Sequence, residues 1–157
     1  MTDAEKLDKA KALLGARLIA GAIPMPHRVF LTVAPADLRA SVEALKTGLD
    51  QWYLSTISGV DKGDAYEMLY HFGDTAGSIT VRTSIPKAAP HLPSICAVIP
   101  GAVLYERELQ DMFGIVVDDI PDARNLLMPD GWPENNFPLR KDWKFERPKE
   151  VIPGGKA

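Results

Sequence analysis

Apolar positions along the chain switch between helical and alternating spacing, and each switch marks an element. Leu7, Ala10 and Leu14 share one face at helical spacing, which predicts a helix over Asp3–Leu14. Thr2 or Asp3 can cap it, Glu5 sits where the helix dipole favours an acid, and Gly15 suits the position just past the end. A short extended piece is expected over 18–23, and the alternating Arg28–Val33 reads as a strand with Val29, Leu31 and Val33 on one face. Pro35 opens a second helix carrying Leu38, Val42 and Leu45, which Gly48 is expected to close. Three strands follow over 52–60, 66–72 and 79–85, joined by turn residues at 61–64 and 74–77. Tyr66, Met68, Tyr70 and Phe72 point one way, as do Ile79, Val81, Thr83 and Ile85, so the meander has one wet face. The predicted fold class is α+β, a two-layer domain with helices on one face of a mixed, mainly antiparallel sheet.

Pro86, Pro90 and Pro93 mark a connector, and 93–99 has room for a short helix. A better one spans 101–113, where Tyr105, Leu109, Met112 and Phe113 form an apolar stripe and Gly114 ends it. The pattern then breaks down. Six of the 13 prolines lie between Pro121 and Pro153, which forbids long helices and central strands. Yet Leu126, Leu127, Met128, Trp132, Phe137, Leu139, Trp143 and Phe145 lie in the same stretch. The expected organisation is a globular domain over 1–114 and an extended Pro-rich C-terminal tail over 115–157 that needs another surface to cover it.

Composition narrows the function. An apolar fraction of 46% and a charged fraction of 25% are ordinary for a soluble globular protein. A net charge of −3 offers no basic field for nucleic acid. The single cysteine, Cys96, cannot build an iron–sulfur or multi-thiolate zinc site and reads as a small buried hydrophobe. His27, His71 and His91 are scattered at no metal-ligand spacing. The polar start Met-Thr-Asp-Ala-Glu-Lys does not show a signal-peptide pattern, and no run approaches the length of a membrane span.

Charge concentrates on the last helix, in Glu106, Arg107, Glu108 and Asp111. Arg107 and Asp111 are four apart and can pair on one face, while Glu108 and Asp111 are like charges three apart. On spacing alone this is a solvated face. Paired carboxylates at Glu108 and Asp111 also suit acid–base chemistry, but nothing nearby suggests a substrate pocket.

Three blocks follow one another here: Y-E-R-E-L-Q-D-M-F-G-I from Tyr105, P-D-A-R-N-L-L-M-P-D-G-W from Pro121, and P-L-R-K-D-W from Pro138 to Trp143. Together they resemble the signature of the respiratory-chain 30 kDa (C-type) subunit family, shared by complex I and energy-converting NiFe hydrogenases. Two positions depart from the family pattern: Ile120 stands where a histidine is common, and Asn135-Asn136-Phe137 replaces a Gly-His pair. The resemblance implies a non-catalytic peripheral-arm subunit of an ion-translocating redox complex. It would dock on a large D-type subunit beside a small iron–sulfur B-type subunit, with integral membrane subunits contacted indirectly. It implies no active site, metal or cofactor in this chain, iron–sulfur clusters and flavin or NiFe lying in partners. It implies a place on the cytoplasmic face of the cell membrane, held through partner subunits. The expected partner-binding residues are Glu106, Arg107, Glu108 and Asp111 on the helix, then Pro121, Asp122 and Arg124, then Trp132, Phe137, Pro138, Leu139, Arg140, Lys141, Asp142 and Trp143. The aromatics would fill partner pockets, Arg140 and Lys141 would meet carboxylates, and the helix charges would set the angle at which the tail leaves. The alternative is a free-standing interaction adaptor without a membrane complex.

Overall fold

Helix α1 (Asp3–Leu14) starts at a reciprocal cap. Thr2 Oγ1 accepts from Glu5 N at 3.3 Å and Glu5 Oε2 accepts from Thr2 N at 2.7 Å, which satisfies two of the amides a helix start leaves open. The computed structural model describes residues 1–50, 53–74 and 77–144. The expected strand start at Trp52, the turn residues Thr75 and Ala76, and 145–157 with Phe145 lie outside the described residues.

Strands β1 (Leu18–Met25), β2 (Arg28–Val33), β3 (Leu54–Asp61), β4 (Ala65–Asp74) and β5 (Gly77–Pro86) form one sheet in the order β1-β2-β5-β4-β3. All pairs are antiparallel except β2–β5, so the sheet is mixed and mainly antiparallel. Strand β1 runs two residues beyond the expected 18–23. It is an edge strand, its Ile19, Ile23 and Met25 exposed. The register sets Val29, Ile79 and Phe72 side by side, then Leu31, Val81 and Tyr70. These residues are all buried, and they make the floor on which the helices lie.

Leu7, Ala10 and Leu14 of α1 pack on that floor beside Leu38, Val42 and Leu45 of α2 (Leu38–Leu49). Each fully buried leucine or valine of this set contributes roughly 1.5–3 kcal/mol. Gly48 does not close α2. It sits in the last turn, and Asp50 takes the left-handed position at φ 55°. A Cβ at Gly48 would stand 2.5 Å from the Leu13 side chain, so this glycine serves the close approach of α1 to α2.

The connector holds a turn, not the short helix expected over 93–99. The N–H groups of Val98 and Ile99 both donate to Ile95 O, after a short strand β6 (His91–Pro93). Helix α3 (Val103–Phe113) then lies against β3, with the Tyr105 hydroxyl donating to Ser55 O at 3.0 Å. Beyond Gly114 the described residues make one more strand, β7 (Val116–Asp118), parallel to β6, and bury Ile115 and Val117. Past β7 the segment has no regular secondary structure through residue 144. Among the described residues, no helix is long and apolar enough to cross a membrane.

Candidate partner-docking surface

Helical spacing sorts the charges of α3. Glu106 stands three and seven residues before Leu109 and Phe113, so it faces the core with them, wholly buried. Its carboxylate accepts from Ser94 Oγ at 2.6 Å, Ile95 N at 2.7 Å and Cys96 Sγ at 3.1 Å. A buried carboxylate needs such donors, and it pins the turn at 94–96 under α3. The expectation that Glu106 meets a partner is therefore corrected, because its face of the helix is the domain's own interior. Cys96 is buried beside it. Burial, with the carboxylate its S–H donates to, pushes the thiol up to about 11, well away from a reactive thiolate.

Arg107 and Asp111 face the C-terminal segment and do not pair with each other. Arg107 donates to the carbonyls of Arg124 and Asn125, each at 2.7 Å, and to Asp122 at 3.2 Å. Asp111 Oδ2 accepts three consecutive backbone amides, Leu126 at 2.8 Å, Leu127 at 2.7 Å and Met128 at 3.2 Å. Such successive N–H groups form an anion-binding concavity, here filled from within the chain. Asp122 lies between the guanidinium groups of Arg124 and Arg107. Hydrogen bonds from Arg124, then the charge of Arg107, hold its carboxyl well below the usual range. Glu108 is half-buried and makes no ion pair among the described residues.

The far part of the segment is fixed to the C-terminal end of α3. Leu139 N donates to Met112 O at 3.1 Å and Arg140 Nε to Phe113 O at 2.6 Å. Both satisfy carbonyls that a helix end leaves open, and Arg140 places its charge where the helix dipole favours it. Arg140 also lies 4.1 Å over the Phe137 ring. This packing requires Gly114, whose φ of 68° is left-handed and whose missing Cβ leaves room for Phe137 and Arg140. Next along, Lys141 N donates to Asp61 Oδ2 at 3.0 Å. Asp61 also accepts from Gly63 N and Lys87 Nζ, and Lys87 bridges on to Asp142 at 3.1 Å. Burial works to raise the Asp61 carboxyl, but these hydrogen bonds hold it down to about 2.

The two described tryptophans share a hub. The Trp132 indole N–H donates to Asn136 O at 2.7 Å, and that of Trp143 donates to Asn136 Oδ1. Trp132, Phe137 and Trp143 are all half-buried against the chain's own segment. Pro121, Arg124, Leu139, Lys141 and Asp142 remain exposed, and Pro138 is half-buried. Leu127 and Leu139 are each 53% exposed, large apolar side chains on backbone that α3 holds in place.

Sequence reasoning missed Asp61, Lys87, Ser94 and Asn136. Asp61 reads as the first residue of a turn, and nothing local connects it with Lys141. The Gly63 amide it accepts was the only signal within reach of sequence, and it points to the turn alone.

The geometry defines a class of protein: a two-layer α+β scaffold whose last helix uses its charged residues to organise a structured appendage. The chain belongs to the family of the respiratory-chain NADH dehydrogenase 30 Kd subunit, whose model matches residues 31–149. The C-type subunit of the NADH-quinone oxidoreductase of Chloroherpeton thalassium is 39% identical over 98 residues, covering 60% of this chain and 40% of that protein. Formate hydrogenlyase subunit 5 of Escherichia coli is 38% identical over 96 residues, 57% of this chain and 17% of that protein. Hydrogenase-4 component G of the same organism is 33% identical over 123 residues, 74% of this chain and 22% of that protein. The matched stretch is thus well under half of each relative's length. The fold is also that of the trypsin-resistant fragment of Nqo5, with a TM-score of 0.64 at 20% identity over 76% of this chain and 98% of that one. A chain of the membrane-bound sulfane sulfur reductase, an archaeal respiratory membrane complex, superposes with a TM-score of 0.68 at 21% identity, covering 90% of this chain and 85% of that one.

Proposed function

We propose that the chain is a non-catalytic peripheral-arm subunit of a membrane-associated, ion-translocating redox complex, either complex I-like or of the energy-converting NiFe hydrogenase type. It docks on the large D-type subunit beside the small iron–sulfur B-type subunit. It lies on the cytoplasmic face of the membrane, held there through its partners, and the iron–sulfur clusters and flavin or NiFe sit in those partners. Family membership supports this reading, since relatives named for both branches are similar to this chain. One structural observation carries the docking role. Leu127 and Leu139 stand exposed on a segment whose backbone is held by Asp111, Met112 and Asp61. Apolar side chains fixed in this way cost little further ordering when a partner covers them.

Co-expression with the large subunit tests the proposal. The wild-type chain is expected to co-purify with it. The double substitution Leu127→Asp, Leu139→Asp is expected to lower recovery at least about tenfold while far-UV circular dichroism stays unchanged, because both positions face solvent in the free chain. Equal recovery of the double variant overturns the assignment of this face.

A further inference from the structure

Between α3 and the C-terminal segment lies an open concavity of about 370 Å³. Its chemistry is one-sided. Gln110, Asp111, Asn125, Trp132, Glu134 and Phe137 contribute to its lining, and among the described residues no lysine or arginine does. Resting on the docking reading above, we propose that this concavity receives an arginine side chain presented by the partner subunit.

Three observations carry the assignment. First, the Trp132 ring is fixed in orientation by its bond to Asn136 O, and no cation lies over it among the described residues. A preset indole face is the best aromatic surface for a guanidinium. Second, Glu134 is exposed at the wall and makes no ion pair among the described residues, which leaves its carboxylate open to a forked pair with arginine. Third, the segment already uses this mode internally, since Arg140 lies 4.1 Å over the Phe137 ring, and Phe137 is itself part of the concavity wall. The planar fork of arginine can stack on a ring and bind a carboxylate at once, whereas the compact ammonium of lysine cannot do both. An acidic partner side chain would meet the carboxylates of Asp111 and Glu134, with no lysine or arginine among the described lining residues. The concavity also includes Met128, the residue that follows the exposed Leu127 in the chain.

Two measurements test the inference. In the first, the affinity of the purified chain for the large subunit is compared across variants. Glu134→Gln is expected to weaken binding about tenfold and Glu134→Lys about a hundredfold, with circular dichroism unchanged because the position is exposed. In the second, N-acetyl-arginine methylamide is titrated at millimolar concentration into the chain alone. It is expected to shift the Trp132 indole N–H resonance, whereas the uncharged citrulline analogue leaves it in place. A shift with the arginine probe supports the site even where the large subunit does not bind, an outcome that overturns only the docking reading. Tight binding of the large subunit, unaffected by Glu134→Lys and accompanied by no arginine-specific shift, overturns the inference and leaves the docking reading intact.

Discussion

Glu106 and Glu108 are two residues apart on one helix, carry the same charge and share one signature, yet they do opposite work. Glu106 is wholly buried and accepts from Ser94, Ile95 and Cys96. Glu108 is half-buried and has no ion-pair partner among the described residues. The difference follows from the 100° step per residue of a helix, which turns 106 toward Leu109 and Phe113 and carries 108 away. Removing the Glu106 carboxylate leaves the buried Ser94 O–H and the buried Ile95 amide without an acceptor, at about 1–3 kcal/mol for each group. Glu106→Ala is therefore expected to lower unfolding stability by about 3 kcal/mol, read as a shift in the urea midpoint at constant slope. Glu108→Ala is expected to fall within about 0.5 kcal/mol of wild type in the same assay. Near-equal costs for the two would contradict the inward role of Glu106.

Among the elements, α3 differs from the others because its C-terminal end is finished by chain more than 20 residues further on. Leu139 N and Arg140 Nε satisfy the carbonyls of Met112 and Phe113, and Lys141 N reaches Asp61 at the end of β3. The Asp61 carboxyl sits at about 2 when folded and near 3.9 when free. A carboxyl lowered by folding contributes stability above its free value and loses it as pH falls toward the folded one. The latch is thus intact above about pH 4 and weakens between about pH 4 and 2. The Lys141 amide is expected to lose its protection from exchange across that window, and in Asp61→Asn to lack the transition. Local periodicity made most of the elements legible, since α1, β2, α2, the meander and α3 each carry their own alternating or helical spacing. Pairing partners were less so: nothing in β2 announces that it lies parallel to β5, because that choice depends on contacts about 50 residues apart. The segment's pins were illegible for the same reason. Asp61 and Lys141 are separated by 80 residues, and neither has a local pattern that names the other. Gly48 misled as a helix stop because its reason to be glycine is the Leu13 side chain of another helix.

Taken whole, the molecule joins two kinds of cohesion. The sheet and its helices are held by a continuous apolar core running from Leu7 to Val117. The segment from Asp119 to residue 144 is held chiefly by hydrogen bonds and ion pairs to Arg107, Asp111, Asp61 and Lys87, with Leu127 and Leu139 left in water. Polar pins near a surface give less net free energy than buried apolar area, so the two parts have unequal stability. Native-state hydrogen exchange should resolve them. Amides of Tyr70 and Val81, at the centre of the sheet, are expected to exchange only by global unfolding. Amides of Leu126, Leu127, Leu139 and Lys141 are expected to open at a free energy lower by about 2–4 kcal/mol and with a smaller denaturant dependence. Asp111→Asn replaces the carboxylate that holds three of those amides, and is expected to bring Leu126–Met128 opening down further while leaving Tyr70 and Val81 unchanged. A segment that is ordered but separately releasable suits a docking element. It presents its leucines without a large ordering cost, yet it can shift to fit a partner without unfolding the domain beneath. If all these amides exchange together at the global free energy, the segment is part of the core and its capacity to adjust on docking must be abandoned.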